Sequence, residues 1–127
     1  MAQRRGELAL VHASSRDTWR GPGRDASEAE LRDAFGELQA RLVVYGHIHQ
    51  PYVREFGEWT VANTGSVSLS YDGDTRSSYA VVDGSRVEIR RVAYDLEREV
   101  EAIRRARMPH GNWVEACLRA GKFVPPE

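Results

Sequence analysis

The stretch Arg41-Leu42-Val43-Val44-Tyr45-Gly46-His47-Ile48-His49-Gln50-Pro51 decides how the rest of the chain is read. Four consecutive apolar or aromatic residues predict a short strand buried on both faces. The strand runs straight into a glycine and two histidines at i and i+2. Strand ends opening into loops are where α/β folds present ligands. Neutral imidazole is the commonest side-chain ligand for zinc, iron and related ions. A His-x-His pair after a glycine is therefore a candidate metal site, with two surface histidines as the competing reading.

Working outward, Leu8-Ala9-Leu10-Val11 is a second short apolar run, and it too ends in a histidine, His12, before the small-residue loop Ala13-Ser14-Ser15-Arg16-Asp17. Two strand-end histidine sites suggest convergence on one rim of a sheet. Met1 to Arg5 precede Gly6 and are short and polar, so Gly6 reads as a hairpin turn whose first arm is mostly missing. Between the runs, Ser27-Glu28-Ala29-Glu30 has the form of a capping box. Leu31, Ala34, Phe35 and Leu38 then follow at i, i+3, i+4 and i+7, predicting a helix that ends near Ala40.

Beyond Pro51 the pattern changes to strands. Tyr52 to Phe56 and Trp59 to Ala62 flank the Gly57-Glu58 turn. Ser78 to Val82 and Arg86 to Val92 flank Asp83-Gly84, read as a two-residue turn. Asp95 is placed to cap a helix with Leu96, Val100 and Ile103 on its buried face. A last helix carries Trp113, Val114, Cys117 and Leu118, with His110 and Gly111-Asn112 read as cap or linker residues. Arg98, Arg104, Arg105 and Arg107 read as a solvated face partly paired with Glu97 and Glu101, and Trp19 and Trp113 as cover for a core or an interface. The order gives one α/β (α+β-like) domain over residues 1–127, with flanking helices and a mixed sheet that includes an antiparallel-rich meander.

Composition narrows the function classes. The chain has 127 residues, 41% hydrophobic and 29% charged, which excludes disorder. Eighteen basic against nineteen acidic residues argue against dedicated nucleic-acid binding. No apolar run approaches the length of a membrane span, and no leader pattern opens the chain, so a cytoplasmic location is expected. The single cysteine, Cys117, rules out an internal disulfide and a Cys-rich zinc cluster.

Taken in order, Leu10-Val11-His12-Ala13-Ser14-Ser15-Arg16-Asp17, Tyr45-Gly46-His47-Ile48-His49-Gln50-Pro51, Asn63-Thr64-Gly65-Ser66-Val67 and Ser78-Tyr79-Ala80-Val81-Val82 resemble the calcineurin-like metallophosphoesterases, in particular their small bacterial branch. Tyr94-Asp95 at a helix start is similar too, so the resemblance spans residues 7–122. It implies half of a four-layer αββα sandwich. It further implies a dinuclear centre of divalent ions (Mn, Fe, Zn or mixed), with His12 and His47 on one ion and His49 on the other. The expected activity is hydrolysis of a phosphate ester, a phosphodiester or a phosphomonoester. Asn63, Ser66 and Arg76 are candidate substrate contacts, with turn roles open for the first two and a solvated loop position for Arg76.

The same resemblance exposes departures. Family members carry Asp-x-His, then Gly-Asp, then Gly-Asn-His, all upstream of the segment that matches His12. Gly73-Asp74 and Gly111-Asn112 lie downstream and do not stand in for them. Ala13 and Ser15 replace the usual glycine and proline of the first loop. The expectation is a C-terminal half that is inactive alone, with three solutions open: a fragment of a longer enzyme, a homodimer, or a chain that binds a separate one carrying the missing half. The alternative is a non-catalytic domain serving as a metal-binding or interaction module.

Overall fold

A computed structural model of the chain describes residues 3–5 and 7–126. Gly6, and with it the expected turn conformation, lies outside the described residues. In order, the elements are β1 (Gln3–Arg5), β2 (Leu8–Val11), α1 (Glu28–Phe35), a 3-10 turn (Gly36–Leu38), β3 (Leu42–Tyr45), β4 (Tyr52–Phe56) and β5 (Trp59–Asn63). They continue as β6 (Ser77–Asp83), β7 (Arg86–Val92), α2 (Leu96–Arg105) and α3 (Gly111–Ala120).

The main sheet is mixed, in the order β1-β2-β3-β5-β4. Its inner strands β2, β3 and β5 run parallel, while β1 and β4 pair antiparallel at the two edges. The register places Val11 beside Tyr45, and Tyr45 beside Asn63, in one row across the three parallel strands. β1 does supply a first hairpin arm, three residues long, paired Gln3 to Leu10 through Arg5 to Leu8.

Alternation along each strand sorts the apolar side chains to two faces. Ala9, Val43, Tyr45, Tyr52 and Val61 form the core under α1, closed by Leu31, Phe35 and Leu38. The opposite face carries Leu42, Val44 and Ala62, with Leu8, Val53 and Val87 packed against them. That second face is only partly covered, and Leu10 is left exposed. Helix α1 starts as the capping box requires. The Ser27 hydroxyl accepts from the Glu30 amide, and the Glu30 carboxylate accepts from the Ser27 amide at 2.7 Å.

The strands after Pro51 divide into two hairpins rather than one meander, because β5 inserts between β3 and β4 while β6 and β7 form a separate two-stranded sheet. The β6–β7 turn also sits one residue later than expected. Asp83 is still paired with Arg86, so the turn residues are Gly84 and Ser85, with Gly84 at φ 58°. Asp95 caps α2 by accepting from the Arg98 amide at 3.0 Å. At α3, Gly111 and Asn112 are the first helical residues and not the cap; His110 holds the cap position at φ 58° without a side-chain bond. On the solvent side, Arg105 pairs with Glu101, but Arg104 crosses to Glu115 and Glu97 takes Arg119. Trp113 is half-buried against α2 and α3. Trp19, expected as core or interface cover, is 83% exposed, because its loop turns outward on Asp17, whose carboxylate accepts from the Trp19 and Arg20 amides.

Candidate metal centre

The row Val11–Tyr45–Asn63 puts the residues that follow it at one end of the parallel strands. His12 follows Val11, Gly46 follows Tyr45, and the Gly46 amide donates to the His12 carbonyl at 3.0 Å. This bond extends the β2–β3 pairing by one step and fixes His12 beside the Gly46-His47 turn. The two imidazoles meet edge-on, with centroids 5.3 Å apart and planes at 74°.

The segment from Gly46 to His49 is unusual backbone. His47 and His49 both have positive φ, at 66° and 57°, and the Ile48 amide donates back to the Gly46 carbonyl at 2.8 Å across His47. For non-glycine residues such conformations cost about 1–3 kcal/mol each and persist only where the surroundings enforce them. Ile48 packs against the core under α1. Thus the segment is anchored at its centre while the flanking histidines stay at the half-buried rim.

Asn63 holds this turn from below. It is fully buried, its side-chain amide donates to the Gly46 carbonyl, and its side-chain oxygen accepts from the Gly65 amide at 2.9 Å. Gly65 must be glycine: φ is 71°, and a Cβ would lie 2.0 Å from the Ser78 hydroxyl oxygen. That hydroxyl donates to the Thr64 carbonyl at 2.8 Å and accepts from the Ser66 amide at 3.0 Å. The Asn63-Thr64-Gly65-Ser66 and Ser78 segments therefore form one hydrogen-bonded support for the Gly46 turn.

His49 is oriented by the loop between β5 and β6. Its Nδ1 lies 2.7 Å from the Leu69 carbonyl oxygen, which only accepts, so Nδ1 carries a proton, and in the neutral ring Nε2 keeps its lone pair. Its ring stacks on Tyr71 at 4.9 Å and 25°. Burial pushes the His49 imidazolium to titrate below the ordinary histidine value. The Leu69 bond opposes that shift, while the nearby His47 and His12 add to it. A neutral ring with a free Nε2 is the form that binds metal.

The other candidates lie as follows. Asn63 has both ends of its amide committed, the turn role that the sequence left open. The Ser66 hydroxyl accepts from the Ser68 amide at 3.2 Å. Arg76 is tied to Asp74, its Nη2 2.7 Å from a carboxylate oxygen, and that bond holds Asp74 well below the usual carboxylate range. Tyr71 and the Leu69 carbonyl were not singled out from the sequence. The one available signal was an aromatic residue inside the polar stretch Ser70-Tyr71-Asp72-Gly73.

As donors, the imidazoles of the His12–His47 pair are of the type that suits a divalent ion. As a ligand set they are incomplete. Among the described residues no three His, Cys, Asp or Glu side chains come together as a metal-holding group, and no carboxylate joins the histidines.

The sheet, its helices and the histidine rim define an α/β domain of phosphoesterase type. The chain belongs to the calcineurin-like phosphoesterase superfamily, whose domain model matches residues 1–86. Among solved structures it is similar to a metallophosphoesterase from Sphaerobacter thermophilus, with a TM-score of 0.79 at 24% identity over 94% of this chain and 58% of that one. It is also similar to a hypothetical protein from Pyrococcus horikoshii, with a TM-score of 0.77 at 16% identity over 98% of this chain and 51% of that one. The chain thus spans just over half the length of these structures. No curated protein sequence matches it. Among the described residues no helix is long and apolar enough to cross a membrane.

Proposed function

We propose that this chain supplies imidazole ligands to the metal centre of a phosphate-ester hydrolase, through His12, His47 and His49. The observation that carries the reading is the edge-on pair of His12 and His47 at the ends of adjacent parallel strands. His49, two residues on, has its Nδ1 2.7 Å from the Leu69 carbonyl oxygen. His12, His47 and His49 would hold the divalent ion, whose chemistry when bound would be polarisation of a phosphoryl oxygen and activation of water. The chain's own part is to hold these imidazoles in place, His47 and His49 on enforced backbone.

Because among the described residues no carboxylate joins the histidines, catalysis on this reading needs ligands from further polypeptide, either a chain carrying the remainder of the fold or a second copy. The partly covered sheet face with Leu10, and the exposed Val82 and Val92 of the second sheet, suit such an association. Phosphodiesters are the proposed substrates, and a cytoplasmic setting suits one buried free thiol. The same incomplete ligand set favours a second reading, a non-catalytic domain that binds metal or a partner.

Calorimetric titration of chelator-stripped protein with zinc or manganese tests the first step. Native protein is expected to bind, and His12→Ala and His47→Ala to lose at least tenfold in affinity, as expected for removing a donor from the ion itself. Unchanged binding in the double variant would remove these residues from the centre. Turnover of bis(p-nitrophenyl) phosphate by the metal-loaded protein then separates the hydrolase from the non-catalytic module.

A further inference from the structure

The Leu69–Asp74 loop that orients His49 is backed by the end of the chain, well beyond the residues that match the family model. Three contacts build the backing. The Gly73 amide donates to the Gly121 carbonyl at 2.8 Å. Leu69, whose carbonyl holds the His49 Nδ1, packs into the cluster formed by Ile103, Val114 and Leu118 of α2 and α3. Tyr71, on which the His49 ring stacks, meets Phe123 edge-on at 5.8 Å and 82°.

Phe123 in turn meets Trp113 of α3 at 6.0 Å and 72°. The segment around it is fastened to one face of α3, through two residues four apart. The Trp113 indole N–H donates to the Val124 carbonyl at 2.6 Å, and the Val124 amide lies 3.4 Å from the buried Cys117 sulfur. Gly121 enters the segment at φ 60°, where an added Cβ would sit 3.1 Å from the Gly73 carbonyl carbon. The loop and the segment after α3 are thus in close backbone contact. A continuous series of rings, Trp113, Phe123, Tyr71 and His49, runs from the helix to the rim.

We infer that residues 121–124 act as a strap whose Phe123 positions His49, by holding Tyr71 against one face of the imidazole and keeping Nδ1 on the Leu69 carbonyl. Phe123 is a positioning residue. It is 54% exposed, so cover of a core is not its main work. With Tyr71 unsupported, the imidazole gains rotational freedom, and the proton is no longer confined to Nδ1. The role of the oriented ring as a ligand rests on the proposed function; the orientation itself does not.

The experiment is nitrogen-15 NMR of the His49 imidazole in metal-free protein, with zinc affinity measured in parallel. Native protein is expected to show a single Nδ1–H tautomer. Phe123→Ala is expected to give a mixture of tautomers and a roughly tenfold loss of zinc affinity, typical of removing support behind a ligand, while His12 signals stay in place. Phe123→Tyr, which keeps an aromatic edge, should restore both readings. Trp113→Phe, which frees Val124 without opening the strap's backbone contact, should shift the tautomer balance in the same direction by less. A single Nδ1–H tautomer in both Phe123→Ala and Trp113→Phe overturns the strap. If native protein binds no zinc, the ligand reading fails, and the tautomer data on metal-free protein still decide whether the strap exists.

Discussion

Replacing Asn63 by alanine removes the support of the Gly46 turn. The side chain is fully buried and makes two hydrogen bonds, donating to the Gly46 carbonyl and accepting from the Gly65 amide. Truncation strands one acceptor and one donor, and a stranded buried partner costs about 1–3 kcal/mol. Both partners sit in tight turns with little room to find others, so the sum is about 3 kcal/mol. With a urea slope of about 2 kcal/mol/M, the unfolding midpoint should fall by roughly 1.5 M. Tryptophan fluorescence follows the transition. Asn63→Asp adds a sign test. The carboxylate can still accept from Gly65 but faces the Gly46 carbonyl, so burial raises its folded pKa above the unfolded value near 4. The protonated acid can donate where the amide did. Stability of Asn63→Asp relative to native should therefore be highest below pH 4 and fall as pH rises through the raised folded pKa. An Asn63→Ala midpoint within about 0.3 M of native, given the same slope, would show that the Gly46 turn does not depend on this residue.

Gly65→Ala should be worse tolerated than Asn63→Ala, since it combines positive φ with a 2.0 Å approach to the Ser78 hydroxyl oxygen; soluble protein of native stability would contradict that. Ser27→Ala removes the capping box of α1 and should cost about 1 kcal/mol by urea unfolding, with no effect on metal affinity. Arg76→Gln should destabilise slightly at pH 7. Asp74 has a folded pKa depressed first by the Arg76 side-chain bond, so the stabilisation is present above the unfolded carboxylate value and lost as pH falls through the folded one. The native and Arg76→Gln unfolding curves should then converge below pH 4; a constant gap down to pH 2 would be evidence against the pairing.

What could be read in advance followed from local chemistry. The buried strand Leu42–Tyr45, the capping box at Ser27 and the aspartate cap at Asp95 are each specified within a few residues, and each forms. His12 and His47 could be placed on one rim because two apolar strands each end at a histidine, and parallel neighbours end together. The support behind the rim was not legible. Tyr71 reaches His49, and Ser78 reaches Thr64 and Ser66, across sequence separations at which no periodic pattern operates. The turn after β6 slipped by one because Asp83 keeps its pairing with Arg86 and leaves Ser85 to complete the turn. Trp19 misled for a similar reason: its size suggested burial, while the Asp17 carboxylate below it directs the backbone outward.

The single row of Val11, Tyr45 and Asn63 across the parallel strands has a consequence for how this sequence can vary. Strand pairing counts residues, so adding or deleting one position inside any of the three strands exchanges its core and outer faces and moves its rim residue about 3.3 Å along the strand. Length change is tolerated where the count restarts and the loop holds no rim residue, as from Ala13 to Ala26, whereas the loop from Val67 to Arg76 carries the Leu69 carbonyl and the Tyr71 ring that hold His49. Related chains should therefore differ in the first of these loops by insertions of many sizes, while the number of residues from Leu8 to His12 and from Leu42 to His47 stays constant. Grafts that import a new loop should be spliced after the row, never before it.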